Sequence, residues 1–242
     1  MLNSKLEHAQ MEINSILLST SPLVQKQEII KLKIIDLLTI RTTYFEQFQQ
    51  GITPEKIRDT YKDQSDWYKK QQDVYENHHQ GGGNPAWIQL DCYKGLKPST
   101  GINIKLYRSI PIEEYVFISH LGKLKGHLDL LSDKTGDCIS FKFPRGFVAF
   151  LKHRDSLVVH FQKKENIDSI NDILEAWMKE NNITREKRED SRSEIAADHS
   201  GMSFSELIAI NIAHQIIKYP HQLDILLHGA IEQSQKSNLV LR

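Results

Sequence analysis

The stretch that decides the fold lies between residues 103 and 161. It begins with NIKLYRSI (103–110), passes through a segment with helical periodicity, and continues with SFKF (140–143) and HRDSLVVHF (153–161). Lysines lie inside two of these apolar strand-like runs, and an arginine stands just before the third. Because the flanking residues are mostly apolar, these cations are predicted to line one shared concave face. Lysine and arginine grouped with tyrosine and histidine indicate a phosphate-bearing substrate.

The composition predicts an ordinary soluble globular protein with local charge asymmetry. The chain has 242 residues, and its 31 basic and 31 acidic side chains balance. A net charge of zero argues against general adhesion to nucleic acid or membranes. Residues 101–164, however, contain 11 Lys or Arg and 6 Asp or Glu, a local charge of +5. This region is either an anion-binding site or a solvated basic face.

Two cysteines, Cys92 and Cys138, show neither a CxxC motif nor a metal-ligand spacing with histidine. Two thiols do not make a disulfide scaffold, so a reducing cytoplasm is the expected location. Both lie in strand-like runs, which favours buried packing over a catalytic thiol. The amino-terminal residues lack the apolar core of a signal peptide, and no apolar run reaches membrane length.

Helical patterns precede and follow the central stretch. Residues 1–80 are predicted to be helical, with one helix beginning at Ser21 as N-cap before Pro22 and another at Thr53 before Pro54. The glycine run at 81–83 is not followed by Lys-Ser or Lys-Thr, so it is not a P-loop. Further on, strands are predicted at 87–94, 102–110, 137–143 and 156–161, and helices at 111–131, 167–181, 203–218 and 220–234.

This order predicts an α+β fold. We expect an N-terminal helical region (1–80) and an α+β core with C-terminal helices (81–242), the two forming one compact unit. The helix at 203 has Ser203 as its N-cap and Glu206 three residues later, which is the spacing of a capping box.

Several short motifs, taken in order, resemble those of a known family. They are YFEQF (44–48), the glycine-rich segment leading into Trp87, IKLY (104–107) before SIP (109–111), FKF (141–143), RDS to HF (154–161), and GMSF (201–204). This series resembles the HopA-type family of type III secretion effectors, which includes lyases of some lanthipeptide pathways and is distantly related to the phosphothreonine lyases. The resemblance covers most of residues 40–218.

The resemblance implies a β-elimination that converts phosphothreonine or phosphoserine into a dehydroamino acid, without a metal or redox cofactor. Lys142 matches the catalytic lysine base, and Lys105 matches a basic residue that helps to hold phosphate. Tyr107 falls where phosphothreonine lyases carry a histidine acid, and His160 falls where they carry a tyrosine. Arg154 approximates an arginine that binds phosphate.

The sequence departs from the family pattern at two places. Tyrosine replaces histidine at position 107, although HopA-type members also tend to have tyrosine there. The family's arginine after its Ser-Phe-Gly segment is absent, since Ile208 stands near that place. These departures concern the general acid and part of the phosphate site.

The proposed chemistry requires a neutral lysine. The reference pKa of lysine is about 10.4, so the site must lower the pKa of Lys142 by burial and by nearby cations. The alternative for this residue is an edge-strand lysine that prevents aggregation. Arg188, in the charged run 184–193, is a further candidate for phosphate binding, although that run also fits a solvated surface. Arg108 follows Tyr107 directly, so it is predicted to point to the opposite face of its strand.

The main hypothesis is therefore a phosphoserine or phosphothreonine lyase acting on a peptide or protein. The implied setting is cytoplasmic lanthipeptide maturation with a partner kinase and cyclase, or secretion as an effector that acts on a host phosphoprotein. The alternative is a non-catalytic HopA-type effector or module that binds a peptide or protein. An ADP-ribosyltransferase, suggested by LYRS (106–109), ranks third because no pair of catalytic glutamates follows. Neither nucleic acid nor a membrane is an expected partner.

Overall fold

The computed structural model describes residues 2–76, 86–93, 103–186, 195–198 and 203–236. Within these ranges the chain forms helices at both ends and a central antiparallel sheet. The helices are α1 (Leu2–Leu18), α2 (Leu23–Thr39), α3 (Thr42–Gln49), α4 (Pro54–Thr60), α5 (Lys62–Glu76), α6 (Leu121–Thr135), α7 (Phe147–Lys152), α8 (Ile167–Glu180), α9 (Phe204–Lys218) and α10 (Leu223–Gln235). The strands are β1 (Trp87–Asp91), β2 (Asn103–Arg108), β3 (Ser140–Pro144), β4 (Leu157–Phe161) and β5 (Ile195–Asp198). The α+β prediction is confirmed.

The sheet has the strand order β1-β3-β4-β2-β5, and each neighbouring pair is antiparallel. The four predicted strands form, each shorter than its apolar run. The fifth, β5, pairs with β2 and was not predicted, because it follows the charged run 184–193 and is only four residues long. The short helix α7 was also not predicted, since six residues give little periodicity.

One face of the sheet packs on the main hydrophobic core. Alternate residues of a strand point to opposite faces, and the apolar set of each strand points to this core. Helices α5, α6, α7 and α8 contribute to the same core. The fully buried strand residues on this face are Ile88, Leu90, Phe141, Phe143, Leu157, Val159, Phe161, Ile104 and Leu106.

Helices from the two ends of the chain form a second hydrophobic cluster. Ile13 of α1 and Ile34 of α2 pack with Ile212 and Ile216 of α9 and with Leu227 of α10. The N-terminal helical region is thus divided, because α1 and α2 contact the C-terminal helices whereas α4 and α5 contact the sheet core. The boundary expected between residues 80 and 81 lies outside the described residues and stays a prediction.

Of the three N-cap residues predicted from the sequence, two are confirmed and one is wrong. Thr53 caps α4 by accepting a hydrogen bond from the Lys56 N–H at 3.3 Å, and Ser203 caps α9 by accepting one from the Glu206 N–H at 3.2 Å. The prediction for α2 is wrong, because Pro22 is the N-cap residue and no side chain caps the helix. The extended ψ of Pro22, 148°, explains the shift, since a residue at the first helical position needs a helical ψ.

No helix among the described residues is long and apolar enough to cross a bilayer.

Candidate functional site

The face of the sheet opposite the main core carries four predicted site residues. Lys105 and Tyr107 are alternate residues of β2, so they share a face. Tyr107 and Lys142 both pair with Val158, which lies between them on β4. Directly paired residues of antiparallel strands point to the same side, so Lys142 shares this face. His160, two residues after Val158, pairs with Lys105 and completes the set. We call Lys105, Tyr107, Lys142 and His160 the polar-face cluster.

The cluster is arranged in two rows across the sheet. One row contains Tyr107, Val158, Lys142 and Gln89, and the next contains Lys105, His160, Ser140 and Asp91. Neighbouring strands are about 4.8 Å apart, so the Tyr107 and Lys142 backbones are separated by roughly 10 Å across β4. A single small group above β4 would therefore lie between these two side chains.

The polar-face cluster is largely shielded from solvent. Lys105 and Tyr107 are each 5% exposed and His160 is 7% exposed, whereas Lys142 is partly exposed. Phe204, at the start of α9, packs against Tyr107 and Val158 together with Trp87. In such a shielded position, charge interactions are stronger than on an open surface.

The edge-strand interpretation of Lys142 is wrong. Strand β3 lies inside the sheet, with β1 on one side and β4 on the other. A lysine on an internal strand has no exposed edge to protect against aggregation.

Lys142 contacts the ring of Trp87, a residue that sequence analysis did not assign to the site. Its Nζ lies 5.0 Å from the centroid of the Trp87 ring, a cation–π geometry. The Trp87 ring in turn lies 5.1 Å from the His153 ring. The ring of Trp87 and the side chain of Lys105 thus both belong to the surroundings of Lys142 on this face. Alternation along β1 predicts the face that Trp87 shares with Gln89. That Trp87 lies beside Lys142 follows only from the pairing of β1 with β3, which the sequence did not predict.

Asn103 is another residue that sequence analysis did not assign to the site. Its side-chain amide nitrogen lies 3.1 Å from His160 Nδ1. Since an amide N–H₂ can only donate, this hydrogen bond holds Nδ1 as the acceptor of the neutral imidazole. The proton of neutral His160 then resides on Nε2. Asn103 shares its face with Lys105 by simple alternation, so the strand pattern contained the signal.

Burial and, to a lesser extent, the nearby Lys152 ammonium lower the pKa of His153 from 6.5 to about 4, against the opposing effect of Asp155. The folded protein therefore holds His153 neutral, whereas the unfolded chain binds a proton near pH 6.5. Above pH 6.5, His153 is neutral in both states and does not oppose folding. As the pH falls from 6.5 towards about 4, the unfolded chain takes up a proton that the folded protein does not, so the folded protein loses stability.

We expect the His153→Gln variant to lose less stability on acidification than the parent protein. Between pH 7 and pH 5, the drop in the free energy of unfolding should shrink by about 2 kcal/mol, as linkage requires. Urea denaturation at the two pH values measures it. His127→Gln, at an exposed position on α6, is the matched control and should leave the drop unchanged. An equal drop in the His153→Gln variant and the parent would contradict the prediction.

Of the three arginines that the sequence analysis considered, two lie among the described residues. Arg154 lies on the connection between α7 and β4, where it is buried and its backbone N–H donates to the Thr39 carbonyl. The strand register that unites the polar-face cluster does not extend to Arg154, and Arg188 lies outside the described residues. Arg108 is on the opposite face, as predicted, where its guanidinium donates to Asn171 and, at 3.2 Å, to Glu175.

Ile208, one of the two positions that depart from the pattern of the resembled family, lies in the helical part of the fold. Ile208 lies on α9, is 4% exposed and belongs to the cluster of α1, α2, α9 and α10. An arginine in that orientation would place its charge among apolar side chains.

Cys92 is buried, which raises the pKa of its thiol, and Cys138 is half-buried. No group of three potential ligands among the described residues is arranged to hold a metal ion.

Comparisons with known proteins give a distant structural likeness. No protein-family model matches the chain, and no curated protein matches it. A solved structure that does match is that of the effector protein from Pseudomonas syringae pv. syringae strain 61. The two share 10% sequence identity with a TM-score of 0.41, over 85% of this chain and 93% of that chain. A likeness of this strength carries no information about function.

Proposed function

We propose that the polar-face cluster is the active site of a phosphoserine or phosphothreonine lyase. The observation that carries the proposal is the convergence of Lys105, Tyr107, Lys142 and His160 on one shielded face of the sheet. Two lysines provide both a base and a cation for phosphate, and two further side chains are able to transfer protons.

In this reaction, Lys142 removes the α-proton of the phosphorylated residue. The electron pair of the broken C–H bond forms the Cα=Cβ double bond, and the Cβ–O bond to phosphate breaks. Phosphate departs with that bonding pair, and an acid protonates the bridging oxygen. The products are a dehydroamino acid, inorganic phosphate, a protonated Lys142 and a deprotonated acid. Lys142 then returns its proton to solvent, and the acid takes one up.

The position of Lys105 suits the leaving group. It lies in the row next to Lys142 and Tyr107, on the same face of the sheet, where the developing phosphate charge would lie. Its positive charge disfavours the protonated form of Lys142, which is the direction that a lysine base requires. One side chain would therefore support both the base and the departure of phosphate.

Tyr107 and His160 are the two candidates for the acid. Tyr107 lies across Val158 from Lys142, so a substrate between them would present its leaving oxygen to the tyrosine hydroxyl. His160 is oriented by Asn103 with its proton on Nε2, which suits a proton donor. Tyr107→Phe and His160→Gln, assayed separately, distinguish them, because only loss of the true acid should reduce elimination by about 10²-fold or more.

The direct test is mass spectrometry of phosphothreonine and phosphoserine peptides after incubation with the protein. Elimination lowers the peptide mass by that of phosphoric acid, whereas hydrolysis lowers it by that of HPO₃. The unphosphorylated dehydroamino acid product also reacts with an added thiol, which confirms its double bond. Peptides that stay unchanged across a varied panel, including any precursor encoded nearby, would count against the lyase.

We expect Lys105→Gln to raise KM for the phosphopeptide by about tenfold or more, because charged hydrogen bonds to phosphate contribute roughly 1.5–3 kcal/mol. Steady-state kinetics on a phosphothreonine peptide measures this change. Lys163→Gln, beyond the end of β4 and away from this face, is the matched control and should retain the parental KM. An unchanged KM in Lys105→Gln would remove Lys105 from the phosphate site.

The setting proposed for this activity is lanthipeptide maturation, in which a kinase would supply the phosphopeptide and a cyclase would consume the dehydroamino acid. Secretion as an effector with a phosphoprotein substrate is the variant with the same chemistry. The cognate substrate is needed to distinguish the two settings, because the polar-face cluster would recognise phosphate and not the rest of the peptide.

A second candidate function is a HopA-type binding module without catalysis. It is favoured by Ile208, which stands in place of the family's arginine and is buried in the helical cluster. The module would bind a phosphopeptide at the same cations without converting it. Binding measured by calorimetry, together with an unchanged peptide mass, would support this module over the lyase.

A further inference from the structure

A cavity of about 250 Å³ lies away from the polar face, between α1, α2 and α3. Its apolar walls are formed by Ala9, Leu37, Ile40, Tyr44, Phe45 and Pro54. The volume is slightly below the range of about 300–1,000 Å³ that is usual for small-molecule sites, so it suits a small ligand. The cavity also contains several charged side chains, and these fall into two groups.

The first group consists of charges that already have partners inside the protein. Lys5 donates to the carbonyl oxygens of Leu37 at 2.7 Å and Ile40 at 2.6 Å, at the end of α2. Lys33 pairs with Glu12 at 2.6 Å. These side chains complete the wall, and their charges are not available for a ligand.

The second group consists of Asp36 and Lys152. Among the described residues, the Asp36 carboxylate and the Lys152 ammonium form no hydrogen bond and no ion pair, although Lys152 has the largest effect on the pKa of Asp36 of any cation. The two opposite charges thus lie close to the same cavity without touching each other. Burial raises the pKa of Asp36, which is the sign of a carboxylate held without adequate solvation.

We propose that this cavity binds a small apolar α-amino acid, whose ammonium group pairs with Asp36 and whose carboxylate pairs with Lys152. A zwitterion carries both charges on adjacent groups, so one ligand completes both ion pairs at once. The apolar walls receive its side chain. The Tyr44 hydroxyl, which also lacks a hydrogen-bond partner among the described residues, lies at the same cavity and serves as a further polar contact.

The combination of groups selects this class of ligand. A simple carboxylic acid would leave Asp36 unpaired, and an alkylamine would leave Lys152 unpaired. A strongly polar molecule would leave the walls of Ala9, Leu37 and Phe45 in contact with polar groups. The site is independent of the proposed lyase activity, because none of its residues belongs to the polar-face cluster.

The test is isothermal titration calorimetry of the full chain with L-leucine, L-isoleucine, L-methionine and L-phenylalanine. We expect at least one of them to bind and to raise the melting temperature with concentration. Its analogues without the ammonium or without the carboxylate, such as 4-methylpentanoate and 3-methylbutylamine for leucine, should bind at least about tenfold more weakly. No binding by any of the four amino acids, or equal binding by an analogue, would overturn the proposal.

Matched variants locate the binding site. Asp36→Asn and Lys152→Gln should each weaken binding by about tenfold or more, because each removes one charged hydrogen bond. Glu7→Gln, at an exposed position on α1 outside the cavity, is the matched control and should change affinity by less than about threefold. Ala9→Leu fills the cavity from α1 and should abolish binding in a protein whose circular dichroism is unchanged. Parental affinity in both Asp36→Asn and Ala9→Leu would place the ligand elsewhere and overturn the proposal.

Discussion

Replacement of Lys142 by arginine is expected to lower the rate of phosphate elimination by about 10³-fold, within the range that general-base catalysis contributes. Arginine keeps the positive charge and its cation–π contact with Trp87, but its pKa is too high for it to act as a base at neutral pH. The variant should therefore still bind phosphopeptide. Single-turnover conversion followed by mass spectrometry measures the rate, and calorimetry with the same peptide measures binding.

The comparison of Lys142→Arg with Lys142→Ala separates the base from a phosphate ligand. If Lys142 only attracts phosphate, arginine should restore most of the activity that alanine removes. If Lys142 is the base, the two variants should be equally inactive and differ only in affinity. Lys123→Arg, at an exposed position on α6, is the matched control and should be fully active. Substantial elimination by Lys142→Arg would contradict the assignment of the base.

The sequence predicted which residues share a strand face, but not which strands are neighbours. Alternation alone placed Lys105 beside Tyr107 and put Arg108 on the other side. The meeting of Lys142 with Tyr107 depends on β4 lying between β2 and β3, which is a long-range choice of pairing. Local patterns do not encode that choice, because several strand orders would bury the same apolar residues.

The same limit explains the aromatic and helical features that the sequence did not indicate. Trp87 reaches Lys142 only through the pairing of Gln89 with Lys142 in the sheet. Helices were predicted at both ends of the chain, yet nothing local indicated that the two ends would pack together. The cavity beside Asp36 requires three helices and the end of α7, so it has no counterpart in any single motif.

Arg41 directly follows the apolar run that forms α2, and sequence analysis did not identify it as a structural residue. Of the substitutions considered for stability, its loss is expected to have the largest effect. Its Nε donates to the His153 carbonyl at 3.0 Å, and its Nη2 donates to the Ile110 carbonyl at 2.7 Å and to Ser156 Oγ at 2.9 Å. Its Nη1 pairs with Glu186. The guanidinium therefore joins the end of α2 to the segments that follow β2 and precede β4.

The Arg41→Met variant should lower the free energy of unfolding by about 3–5 kcal/mol, because the His153 and Ile110 carbonyls and the Ser156 hydroxyl each lose a charged donor. Most of this loss comes from the buried acceptors, since Glu186 is half-exposed and its ion pair is partly screened. Urea denaturation measures it as a lower midpoint at an unchanged slope. Arg58→Met, at an exposed position on α4, should change stability by less than about 0.5 kcal/mol. A loss below about 1 kcal/mol in Arg41→Met would mean that its acceptors find other donors, and that Arg41 does not hold the segment leading into β4.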